Sequence, residues 1–105
     1  MTGEFPPRKA FGEDERNAID EVTTYYWLNE ADPGYNGIFQ KEFEKNLAKF
    51  YGKGEAAAVN SGTNALYIAL CALNLREGRE VIVSPVTDSG TVHAILAANL
   101  VPVVA

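Results

Sequence analysis

The chain has 105 residues, with nine basic and fourteen acidic side chains and a net charge of −5. One domain of this length buries roughly 65% of its unfolded surface, and the acidic balance makes nucleic acid a poor partner, so none is expected, because phosphate backbones call for clustered Lys and Arg. The single cysteine, Cys71, excludes an internal disulfide, and no apolar run is long and pure enough to span a bilayer, so no membrane partner and a cytoplasmic setting are expected.

Met1 to Ala10 reads as an extended arm. Phe5-Pro6-Pro7-Arg8 cannot start a helix cleanly, and Glu4 with two prolines does not make a secretion signal. A helix is expected from Phe11 to Glu30. Glu13, Asp14 and Glu15 occupy its first turn, where the helix dipole favours negative charge, and Ile19, Val22 and Tyr26 form its apolar face. Asp32-Pro33-Gly34 breaks the chain. A second helix is expected from Ile38 to Tyr51, with Phe39, Phe43, Leu47 and Phe50 as its buried stripe and Gly52-Lys53-Gly54 as its end.

The rhythm then changes to alternating strand and helix. Ala56 to Val59 reads as a strand, and Gly62 to Leu75 as a helix apolar nearly all round and therefore buried, with Cys71 as a small core residue. Glu80 to Val83 reads as a second strand, Asp88 to Asn99 as another apolar helix, and Leu100 to Val104 as a third strand. Continuous apolar strands alternating with helices mean a mostly parallel α/β sheet with helices on both faces. The chain stops within the third strand, with no turn or cap after it, and usual domain anatomy makes a shortened chain the simpler expectation.

Two polar turns carry what chemistry the sequence offers. Asn60-Ser61-Gly62-Thr63-Asn64 lies between the first strand and its helix, where backbone N–H groups and the helix dipole favour an anion such as phosphate. Ser61 and Thr63 add hydroxyl donors there, and a plain N-cap is the competing reading. Thr87-Asp88-Ser89-Gly90-Thr91 is a second such turn at the same end of the sheet, where ligands of open α/β folds collect. For Asp88, too, an N-cap is the alternative. Several templates are absent or weak. There is no Walker pattern, and Ser61 lacks the glycine two residues earlier that a nucleophile elbow requires. One histidine and one cysteine do not make a zinc site. His93 could complete a Ser61–His93–Asp88 set by residue type alone.

The order of motifs resembles a known family. Glu42-Phe43-Glu44, Tyr51-Gly52, Ala58-Val59-Asn60-Ser61-Gly62-Thr63-Asn64-Ala65-Leu66, Gly78-Arg79-Glu80-Val81-Ile82-Val83 and Pro102-Val103 together resemble the N-terminal part of the DegT/DnrJ/EryC1/StrS family. Its members are pyridoxal-phosphate-dependent aminotransferases of fold type I, mostly acting on nucleotide-linked keto-sugars. The resemblance implies the α/β large domain of that fold, with residues 1–37 as an arm and helix and residues 38–105 as the truncated start of the domain. It makes the guest of the first turn the 5′-phosphate of pyridoxal phosphate, held by Ser61, Gly62, Thr63 and Asn64. Thr87 matches a threonine of the family's next turn. Asp88 stands where the family usually stacks an aromatic ring on the cofactor, a departure that leaves the ring to be held otherwise.

The resemblance also implies a keto-sugar substrate, an amino donor such as glutamate, a homodimer, and a contact of Tyr35 with substrate. The family's cofactor-binding lysine matches none of Lys9, Lys41, Lys45, Lys49 and Lys53, so no catalytic residue is assigned and the 105-residue piece is expected to be inactive alone. In fold type I the first two strands in sequence are not neighbours, which implies open sheet edges in this piece. A non-catalytic homologue of the same fold and an unrelated phosphate-binding α/β domain are the alternatives.

Overall fold

The computed structural model describes residues 11–105; the arm expected over Met1 to Ala10 lies outside the described residues. The chain divides into two units, one ending at Phe43 and the other running from Glu44 to Ala105. No helix among the described residues is long and apolar enough to cross a membrane.

In the first unit, α1 (Glu13–Leu28) begins behind Gly12, which has no side chain with which to cap a helix. The cap comes from inside instead: Glu15 Oε2 accepts the Gly12 N–H at 2.8 Å. That hydrogen bond holds the Glu15 carboxyl below the usual carboxylate range. A group with a depressed folded pKa stabilises above its unfolded pKa and loses that contribution as pH falls through the folded value. Helical ellipticity should therefore fall on acidification in part through Glu15. Glu15→Ala should remove that part of the titration, and an unchanged acid profile would show that the cap is not felt.

The helix ends at Asn29, whose side-chain amide donates to the Tyr25 carbonyl at 2.7 Å. Asp32 Oδ1 then accepts the Gly34 N–H at 2.9 Å, the side-chain turn that makes Asp-Pro-Gly a chain breaker. Tyr25, Tyr26 and Phe39 form an aromatic cluster with ring centroids 5.2 to 5.9 Å apart. Phe39 opens α2 (Ile38–Phe50), within which the two units divide. The stripe expected on this helix is only partly covered: Phe39 and Leu47 are half-buried, while Phe43 and Phe50 are exposed.

The second unit is built on β1 (Glu80–Val83), α4 (Ser89–Ala97) and β2 (Val101–Val104), with α3 (Gly62–Ala72) against α4. The two strands pair in parallel, Glu80 opposite Val101 and Val83 opposite Val104. Pro102 brings no N–H to the ladder, as suits a strand with an open side. Gly78 (φ +75°) and Asn99 (φ +56°) take left-handed turns at the feet of the two strands. The Gly78 N–H donates to the Asn99 carbonyl at 2.8 Å, which sets the register before the ladder begins. The core is small: Val83, Ile95 and Leu100, with Ala94 fully enclosed and Leu70, Val81 and Ala98 packed around the edge.

Three expectations are corrected here. Ala56 to Val59 forms no strand. The sheet described has two strands, β1 and β2, and a segment that pairs with neither has no ladder to join. The helix starting at Gly62 is not buried, because only the side bearing Tyr67 and Leu70 is half-covered; Leu66 and Ile68 remain more than two-fifths exposed. Cys71 is exposed and not a core residue. Its side chain hydrogen-bonds Tyr67, one turn earlier, and raises the tyrosine's pKa. On β1, Val83 faces the core while Ile82 is 75% exposed, so in this chain the two sheet faces differ in burial.

Candidate functional site

The two polar turns meet at one cleft. Its walls are Gly62, Thr63, Ala65 and Leu66 from α3, and Asp88, Gly90 and Thr91 from the turn into α4, around a volume of about 540 Å³. Ligand sites commonly span roughly 300–1,000 Å³.

Ser61 is the N-cap of α3, in extended backbone, and its Oγ accepts the Asn64 N–H at 3.1 Å. The first N–H groups of a helix have no partner inside it. With Ser61 serving Asn64, the amides of Gly62 and Thr63 are left at the positive end of the helix dipole. A Cβ placed on Gly62 would meet nothing within 4 Å, so this backbone lies open to a guest. Asn64 also donates from Nδ2 to Asn60 Oδ1 at 2.5 Å, which pins the residue before the cap to the first turn after it.

Asp88 is the N-cap of α4: its Oδ1 accepts the Gly90 N–H at 2.8 Å, and its carbonyl accepts the Thr91 N–H at 3.1 Å. Thr87 Oγ1 donates to Thr91 Oγ1 at 3.0 Å. The cap reading of Asp88 is thus realised. Asp88→Ala should lower stability by about 1 kcal/mol, and Asp88→Asn, which still accepts the bond, by a few tenths at most. Matched thermal melts check this, and equal losses for both substitutions would mean that the cap bond contributes little.

Of the residues singled out from sequence, Gly62, Thr63 and Asp88 line the cleft, while Ser61, Asn64 and Thr87 adjoin it along the chain. Tyr35 belongs to the first unit and is 99% exposed. Four lining residues, Ala65, Leu66, Gly90 and Thr91, escaped the sequence reading as site residues, and the last two bring the most to the site. At Gly90 the two turns approach closely, since a Cβ there would overlap Thr63 Oγ1 and lie 3.0 Å from Asp88 Oδ1. Thr91 brings a hydroxyl to the same wall. A glycine two residues past an N-cap Asp was the one available signal, and it becomes meaningful only when the facing helix is known. His93 is exposed and does not line the cleft.

The residues present fit a phosphate: two helix-end amides, the Thr63 hydroxyl and an open glycine. They do not supply an aromatic face for a ring, since the lining holds none.

Fold and cleft together define an α/β protein that offers an anion a helix N-terminus beside a parallel sheet. The chain belongs to the DegT/DnrJ/EryC1/StrS aminotransferase family, whose model matches residues 11–105. It is 38% identical over 94 residues to the spore coat polysaccharide biosynthesis protein SpsC of Bacillus subtilis, covering 90% of this chain and 23% of that one. It is 34% identical over 89 residues to the GDP-perosamine synthase of Caulobacter vibrioides, covering 85% of this chain and 23% of the relative. The crystal structure of NtdA from Bacillus subtilis with bound cofactor PMP superposes with a TM-score of 0.77 at 33% identity, over 90% of this chain and 21% of NtdA. The chain thus spans about a quarter of the length of the relatives it matches, and its fold is that of part of a fold type I transferase. Aminotransferases of this family use pyridoxal phosphate.

Proposed function

We propose that residues 44–105 form the phosphate-holding wall of a pyridoxal-phosphate-dependent aminotransferase that aminates a nucleotide-linked keto-sugar. The observation that carries this is the cleft between the α3 N-terminus and the Asp88–Gly90 turn. The Gly62 and Thr63 amides hold the phosphate, the Thr63 hydroxyl adds a donor, and Ser61 keeps the helix end in shape from beside it. Thr87 braces the opposite wall through Thr91. Bound pyridoxal phosphate supplies the electron sink for amino transfer. Family membership and a relative named for a GDP-linked amino sugar support the substrate class.

On this reading residues 1–37 are an arm and helix near a homodimer partner, with Tyr35 toward the substrate, and residues 38–105 begin the large domain. The amino donor is a compound such as glutamate, and the enzyme works in the cytoplasm. Residues 1–105 alone are inactive, because no lysine lines the cleft.

The test uses the polypeptide as its gene encodes it. Titration with pyridoxal phosphate should produce saturable change in the cofactor's near-ultraviolet and visible absorbance, and glutamate should then shift that spectrum. No saturable binding sinks the reading. A second reading, a homologue that binds the cofactor without transferring amino groups, draws on one observation: Asp88 at the usual stacking position is occupied in capping α4. Binding without any response to amino donors or keto-sugars would favour it.

A further inference from the structure

We infer that Glu44 is a positioning residue for the phosphate cup, acting from α2 through the backbone of Ala58. The inference rests on the cofactor reading above. Glu44 Oε1 accepts the Ala58 N–H at 2.8 Å across fourteen positions of sequence, and both residues are half-buried.

This bond has a physical reason to exist. A half-buried N–H needs an acceptor. An ionised carboxylate is a strong one: charge-assisted bonds are shorter than neutral ones and roughly twice as strong.

Its consequence lies three residues further on. Only Val59 and Asn60 separate Ala58 from Ser61. So short a link leaves little slack, and fixing Ala58 fixes the residue whose Oγ caps α3. The donors of the cup are backbone amides of Gly62 and Thr63, so their aim depends on how the chain enters the helix. Glu44 itself does not line the cup; it lines a separate cleft with Lys45, Ala48, Gly54, Glu55 and Ala56. Its influence on a ligand therefore passes through the backbone, and it falls on the phosphate end.

That selectivity gives the test. Affinities for pyridoxal phosphate and for pyridoxal, which has the ring without the phosphate, are measured by absorbance titration in the gene-encoded polypeptide. Losing a hydrogen bond to a charged group should weaken pyridoxal phosphate binding about tenfold in Glu44→Ala, with pyridoxal changed less than about twofold. Glu44→Gln keeps an oxygen acceptor at the same reach and should recover most of the loss. Amide exchange should accelerate at Ala58 in Glu44→Ala and stay unchanged in α4.

A merely structural role would weaken both ligands alike, so an unchanged ratio of the two affinities overturns the inference. So does a Glu44→Gln variant as weak as Glu44→Ala, or unchanged exchange at Ala58. If Glu44→Ala does not fold, Glu44→Asp, which retracts the acceptor by about one bond length or roughly 1.5 Å, answers the same question by the same ratio. Unaltered protein that binds both ligands equally overturns the cofactor reading, and the functional role of Glu44 with it. A phosphate preference that survives every Glu44 variant overturns this inference alone.

Discussion

Gly90→Val should weaken pyridoxal phosphate binding by roughly tenfold or more and lower stability by about 1–3 kcal/mol, the usual cost of overpacking. The space at Gly90 is already taken, because a Cβ there would overlap Thr63 Oγ1 and sit 3.0 Å from the Asp88 oxygen that caps α4. Helix propensity works the other way, since valine is a few tenths of a kcal/mol better than glycine in a helix. That gain is too small to offset a clash with two elements at once.

Gly90→Ala separates the two effects. Alanine gains about 1 kcal/mol of helix propensity over glycine, and the Thr63 hydroxyl can rotate to admit one methyl group. Stability should then stay near that of the unaltered protein while affinity falls, because the rotated hydroxyl no longer serves the cup. Calorimetric melts and cofactor titrations of both variants check this. Binding at unaltered strength in Gly90→Val would remove the Thr63–Gly90 contact from any role in the site.

The second large effect is expected at the core. Ile95→Ala should destabilise by about 2–5 kcal/mol, and Ile95→Val by only about 0.5–1.5 kcal/mol. Ile95 is 3% exposed and packs with Val83 and Leu100 in a core of few residues. A small domain has only about 5–15 kcal/mol of stability in total, so the alanine variant loses a large share of it. Urea midpoints for the two variants provide the check, and a valine loss as large as the alanine loss would contradict a cavity at this position.

The local elements were legible because their signals are local. Acidic residues in the first turn, Asp32-Pro33-Gly34 and the apolar runs at Glu80–Val83 and Val101–Val104 act within a few residues of themselves, and the helices and paired strands formed where those signals lie. Ser61 and Asp88 as N-caps follow from the same reach. The order of motifs was sufficient to identify the family, which matches from residue 11 onward.

What escaped depends on partners distant in sequence. Whether Ala56 to Val59 becomes a strand depends on a neighbour to pair with, and whether α3 is buried depends on what packs around it; residue types alone supply neither. Cys71 reads as core by its apolar company, yet is exposed. The demand for glycine at position 90 comes from Thr63, twenty-seven positions earlier, and exists only once α3 lies beside α4.

The sequence by itself therefore determined the helices, the two paired strands and the family, and offered the N-caps as one reading of each polar turn, because propensity, capping and motif order are properties of short stretches. Tertiary structure decided that the two polar turns share one cleft, that Thr63 leaves no room for a side chain at Gly90, and that Glu44 holds Ala58. These depend on distances between atoms far apart in the chain, and packing alone brings such atoms within reach.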